Sequence, residues 1–267
     1  MRTIHYISSM VMAAFLVLFS RSLPQIPTIH LQLHFPKIVD AKQEKQDVKQ
    51  EISTPTQSQP VLKNEPISIS KRAFVDTVPF IKQLPELERG CEVTSLAMLI
   101  QSSGVSVDKM TLANEIPKVP FHQGNHYGNP SEGFVGDIYS HTKAGLGVYH
   151  GPLFQLAKKY LPRPAIDLTG QDIKKIYNML DQGVPVLVIT NTTFSPLNDN
   201  QFETWDTSSG TIKITYYEHS VVIVGYDEQN VYINDPLADS PRTIVPRQSF
   251  EQAWVQMGSQ AISYEPI

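Results

Sequence analysis

The sequence predicts an α+β fold, with a helical N-terminal half and a C-terminal antiparallel sheet. Three observations carry this. Val93, Leu96, Ala97 and Ile100 recur at helical spacing, which argues for a helix over residues 91–101. From residue 184 onward the chain turns to short runs rich in β-branched residues, at 184–190, 211–217, 219–226 and 230–234. Between the halves, residues 120–151 hold nine glycines or prolines, so an irregular region is expected there. Helices first and strands afterwards, rather than strict alternation, is the α+β pattern.

Each remaining element follows from local signals. Residues 107–116 form a second helix stopped by Pro117, and 152–160 a short one with proline in its first turn. Thr169 with Asp172 resembles a capping box that opens a helix ending at Gly183. VPVLVIT is a buried strand, and DEQN turns the strand 219–226 back onto 230–234. Ser249 and Gln252 are expected to cap a last helix through Gln256.

The chain has 267 residues, 41% hydrophobic, and a single cysteine. No intrachain disulfide can form, and a zinc site built from cysteines alone is excluded. Residues 1–72 hold 9 Lys/Arg and 5 Asp/Glu, whereas 73–267 hold 13 and 21. A domain with that acidic excess repels phosphate backbones, so no nucleic-acid partner is expected. Arg2 and His5 precede the apolar run 7–19, and Arg21 closes it. That run is shorter than a bilayer-spanning helix and matches the apolar core of an export signal. Residues 1–22 are therefore read as a signal peptide or N-terminal anchor, the only expected membrane contact. Residues 23–72, with AKQEKQDVKQE and STPTQSQP, are a polar linker too poor in apolar groups to fold alone. The domain spans 73–267.

Four residues could carry chemistry. Cys91 follows Gly90 at the predicted helix start, where the helix dipole favours a thiolate. His219 opens an apolar strand in EHSVVIVGYDE and could accept the thiol proton. Asp235 ends the next strand in VYINDP, where it could fix the imidazole tautomer, and Asn234 beside it is the other candidate for that role. Gln83 lies eight residues before Cys91 and could contribute an oxyanion donor beside the Cys91 N–H.

Gln83, Cys91, His219 and Asp235, in that order, bring in a resemblance. The segment from about residue 78 to the C-terminus resembles the papain-like peptidases that cut double-glycine leader peptides, and more closely their secreted, peptidase-like bacterial relatives. VPFIKQ…GCEVTSLAMLI, GNPSEGFVGD, VPVLVIT after LDQG, and EHSVVIVGYDEQNVYINDP carry it. The resemblance implies a papain-like fold with the nucleophile helix packed on the histidine-bearing sheet. It implies Cys91 as nucleophile, His219 as general base, Asp235 as orienter and Gln83 in the oxyanion hole. The expected partner is a peptide or protein substrate outside the bacterial cytoplasmic membrane, and no metal or cofactor is expected. Acyl transfer to an amine, cell-wall amide hydrolysis and a catalytically silent surface-binding module use the same scaffold.

Three further features complete the sequence picture. His122 and His126 are four apart, but the intervening QGN predicts a loop and no metal site. Residues 128–137 either line a cleft near Cys91 or form a structural turn cluster. Residues 194–210 form either a flap over substrate, which a loop of this length favours, or a long hairpin loop.

Overall fold

The computed structural model of the protein describes residues 69–267. The segment expected to direct export, at 1–22, and most of the expected linker lie outside the described residues. Residues 69–72 are tied to the domain: the Ser70 N–H donates to Asp181 and its carbonyl accepts from the Tyr226 hydroxyl, at 2.9 and 3.0 Å.

In chain order the first half holds β1 (Ala73–Phe74), α1 (Cys91–Ser102), α2 (Lys109–Glu115), β2 (Lys118–Val119), β3 (His122–Gln123), β4 (His126–Tyr127) and β5 (Phe134–Val135). Then come α3 (His150–Tyr160), β6 (Ala165–Asp167), α4 (Ile173–Asp181) and β7 (Val186–Asn191). The last part holds β8 (Glu203–Thr207), β9 (Gly210–Ile214), β10 (Glu218–Tyr226), β11 (Asn230–Asn234), β12 (Thr243–Pro246), α5 (Arg247–Gln256) and β13 (Ala261–Tyr264). The α+β expectation is met.

The main sheet runs β12-β11-β10-β7-β13-β6, antiparallel throughout, with β1 added beside β10. Its centre is β7 and β10, and β7 is buried along its whole length. Strands covered on both faces read as continuous apolar runs, which is why VPVLVIT and HSVVIVGY were legible. Helix α1 lies against β10 and is buried from Cys91 to Ile100. Its Val93, Leu96 and Leu99 join Val221, Ile223 and Val188 in the core, and Met98 packs with Val222 and Val224. Each such side chain removed from water contributes about 1.5–3 kcal/mol. Ser95 Oγ also donates to the Ser220 carbonyl at 3.0 Å, so α1 and β10 are hydrogen-bonded as well as packed.

Two helix starts differ from expectation. Asp172, not Thr169, caps α4: its carboxylate accepts from the Lys174 N–H, while Thr169 Oγ1 accepts from the Ala261 N–H. Helix α5 begins at Arg247 without a side-chain cap, and Ser249 Oγ donates to the Phe194 carbonyl instead. In both cases a tertiary partner claims the hydroxyl expected to cap.

Residues 194–210 are not a flap. They hold a short 3₁₀ turn and β8, the third strand of a small sheet ordered β3-β4-β8-β9. Trp205 anchors it, 1% exposed, with Tyr127 stacked at 4.3 Å and Phe121 edge-on at 5.3 Å. ETWDT hides its strand character because only Trp205 and Thr207 turn inward. The irregular region contributes β3 to β5, each only two residues long. His126 pairs with Asp206 at 3.3 Å and His122 packs on Tyr127, so these two histidines do not converge on a common ligand.

Gly90 is required by space rather than by its backbone angle. A Cβ there would lie 2.4 Å from Leu87 Cβ, and Leu87 is fully buried. Gly90→Ala should therefore destabilise the domain by about 1–3 kcal/mol. Thermal denaturation checks this, and an unchanged Tm would contradict the packing at the start of α1.

Candidate active site

Cys91 is the first residue of α1, 7% exposed. Gly90 at the N-cap has no side chain to cap this helix, which leaves the Cys91 N–H at the helix start without an N-cap partner. Cys91 opens onto a cavity of about 320 Å³ whose walls include Gln83, Arg89, His141, Leu146, Tyr216, Glu218, His219 and Leu237. The structure thus brings Gln83, Cys91 and His219 to one cavity from three separate segments.

His219, 2% exposed, is held by Asp235: Nε2 and Oδ1 are 2.7 Å apart. Burial acts to raise the Asp235 carboxyl, but the bond to His219, the charge of His219 and the Leu237 N–H outweigh it and hold it below its ordinary value. An ionised Asp235 accepts only, so Nε2 carries the proton and Nδ1 is left as the ring's acceptor. Asn234 is excluded from this role. Its amide donates to the Pro79 carbonyl at 3.3 Å and its oxygen accepts from the Arg242 N–H at 3.1 Å. Phe194 closes the other side of the imidazole, ring centroids 6.1 Å apart, from a backbone with φ of 52°. Asn191 fixes that turn through bonds to Thr193 and Ser195.

Gln83 is in place but differently engaged from expectation. Its Nε2 donates to the Leu87 and Glu88 carbonyls at 3.1 and 3.2 Å, and its buried Oε1 has no partner. Both amide hydrogens are thus committed to backbone carbonyls. Residues 128–137 do not line this cavity. Only the end of this segment reaches its wall: the Asp137 carbonyl accepts from Arg89 Nη1 at 3.3 Å, beside the Ser140 carbonyl further along the chain.

Sequence reasoning missed two acids. Cys91 Sγ donates to Glu92 Oε2 at 3.2 Å, and Glu92 Oε1 accepts from the Val148 N–H at 2.7 Å. Glu218 is hydrogen-bonded to Glu92 and faces the same sulfur. Donor atoms of Cys91, Glu92 and Glu218 all lie within 4.8 Å of one another. These are metal-binding residue types, but the three groups share protons with each other. Burial pushes Glu92 up to about 7, against backbone N–H bonds that lower it. Burial, with the charge of Glu92, holds Glu218 well above the carboxylate range. The Cys91 thiol is likewise pushed up by burial first, then by Glu92 and Glu218. A glutamate following a helix-start cysteine, and another at a strand start, carry no periodic signal; only the docking of α1 on β10 brings them together.

Volume alone does not select this site. A second concavity of about 340 Å³ includes His150, which pairs with Asp167 at 2.9 Å, but it holds no thiol.

A model of the Peptidase_C39 like family matches residues 75–262. YvpB, an uncharacterized protein of Bacillus subtilis (strain 168), is 50% identical over 179 residues, which is 67% of this chain and 70% of that protein. The chain is also similar to a crystal structure of a candidate C39-like peptidase from Bacillus anthracis. That structure shares 60% identity, with a TM-score of 0.73 over 74% of this chain and 99% of that one.

Glu92 also bears on stability. Its folded value of about 7 exceeds the ordinary 4.5, so the folded chain holds this proton more tightly than the unfolded one. Its contribution is complete at low pH and is lost as pH rises through about 7. Glu92→Gln should flatten the decline in Tm over that interval, and parallel Tm profiles for the two proteins would contradict the assignment.

Proposed function

The chain belongs to the peptidase C39-like family, and from that premise we propose that it is an extracytoplasmic cysteine peptidase acting through Cys91, His219 and Asp235. The observation that carries this is the buried 2.7 Å contact of His219 Nε2 with Asp235, on the wall of the cavity that Cys91 opens onto. A histidine with its far nitrogen fixed by a carboxylate presents the near one as a base. The family and the α+β papain-like fold supply the peptide-bond chemistry as an expectation; the substrate sequence is left to experiment.

The reaction divides into two displacements. His219 Nδ1 takes the proton from Cys91, and the sulfur attacks the substrate carbonyl carbon. The carbonyl oxygen becomes an oxyanion, held by the Cys91 N–H at the start of α1. Gln83 adds a donor only if substrate displaces one of its bonds to the Leu87 or Glu88 carbonyls. The tetrahedral species collapses to a thioester, and His219 gives its proton to the departing amine. Water, deprotonated by His219, then attacks the thioester and returns the free thiol. Throughout, Asp235 stays ionised and steadies the imidazolium.

Cys91→Ala should abolish hydrolysis of a cleavable peptide while leaving the thermal transition in place. Asp235→Asn, which cannot hold the imidazole in the same tautomer, should lower turnover by about 10²–10⁴-fold. A peptide library read by mass spectrometry, with and without a free amine, checks both and separates hydrolysis from acyl transfer. Cleavage by Cys91→Ala at the parent's rate would overturn the assignment.

A further inference from the structure

Glu92 and Glu218 are buried ionisable groups beside the nucleophile that the reaction above does not use. They come from different elements, α1 and β10, and meet against Gly147. A Cβ on Gly147 would lie 2.5 Å from Glu92 Oε1 and 2.6 Å from Glu218 Oε2, so the glycine leaves the space in which the two carboxyls touch. The thiol of Cys91 donates to this pair, to Glu92 Oε2. The other oxygen of Glu218, Oε1, is buried without a partner.

Glu218 shares its cavity with Glu88, Arg89 and His141, and Arg89 Nη1 is engaged by the Asp137 and Ser140 carbonyls. From the segment after Gly147, the Val148 N–H donates to Glu92, and the hydroxyl of Tyr149 lies near Glu218, which together with burial pushes that hydroxyl up. From β10, His219 acts on Glu92 by its charge, and Asp235 lies beyond it, on the far nitrogen of the ring. No lysine or arginine forms an ion pair with either glutamate among the described residues. A charge on the pair is therefore not neutralised by a permanent cation, and in a water-poor site it acts strongly on a sulfur less than 5 Å away.

From this geometry we infer that Glu92 and Glu218 are positioning residues that tune the charge of the nucleophile: a charge on the pair adds to burial in holding Cys91 as a neutral thiol, and neutralising the pair removes that added opposition to ionisation against His219. The inference rests on Cys91 being the nucleophile. Two carboxyls in contact titrate as a unit. Burial holds both carboxyls up, Glu92 to about 7, so the pair is neutral in acid and gains charge as pH rises through that region.

The test is the rate of Cys91 alkylation by iodoacetamide in the full chain, from acid to alkaline pH. Wild type is compared with Glu92→Gln/Glu218→Gln and with Glu92→Gln alone, each checked for an intact thermal transition. The double variant should label at least about tenfold faster than wild type one unit above neutrality, since a lost neighbouring charge shifts a thiol by a unit or more. At about one unit below neutrality, where the wild-type pair is already neutral, the two should label at similar rates. Should the double variant not fold, Glu92→Gln alone should show the same divergence, because the remaining carboxyl keeps its proton in the buried site. Equal rates at alkaline pH would overturn the inference. So would a gain of the same size at every pH, which would mark loosened packing rather than a removed charge. Alkylation needs no turnover, so a chain that fails to cut peptides still decides this point, and loss of the peptidase reading would show separately in the peptide assay.

Discussion

Everything at the site depends on the docking of α1 against β10. An uncapped helix start is a set of unpaired donors, and a histidine at the end of a buried strand is only a base with nothing to act on. Packing Val93, Leu96 and Leu99 onto Val221 and Ile223 makes them one apparatus. The same packing places Glu92 against Glu218. It also explains why Gly90 must lack a side chain: Leu87 fills the space beneath the first residue of the helix.

The second constraint is the hairpin of β10 and β11. Val222 pairs with Asn234, so Asp235 leaves the sheet beside the stretch that carries His219. Asn234 then turns to the backbone of Pro79 and the Arg242 N–H, and Asp235 turns to the imidazole. Neighbouring strand residues with opposite directions thus meet separate partners, one the backbone and the other the imidazole. Because Asp235 is also bonded to the Leu237 N–H, its position is fixed before any substrate arrives.

Much of this was legible in the sequence because it is local. The helix at Cys91, the strands VPVLVIT and HSVVIVGY, and the DEQN turn follow from periodicity and turn chemistry, and the family resemblance orders Gln83, Cys91, His219 and Asp235. What could not be read is what tertiary contact decides. Strand β8 is polar by composition, and only Trp205 meeting Phe121 and Tyr127 makes it a strand. Thr169 and Ser249 look like caps until Ala261 and Phe194 claim their hydroxyls. Gln83 has the expected position, yet its amide is spent on Leu87 and Glu88. The Glu92–Glu218 pair joins residues 126 positions apart and leaves no trace in either segment.

The most direct measurement is to trap the covalent intermediate. The full chain would be mixed with an activated acyl ester, quenched in acid, digested and mapped by mass spectrometry, beside His219→Ala. The account predicts an acyl group on Cys91, labile to hydroxylamine as a thioester is, and formed far more slowly in the variant. An acyl group elsewhere, or acylation of Cys91 at the same rate without His219, would contradict it.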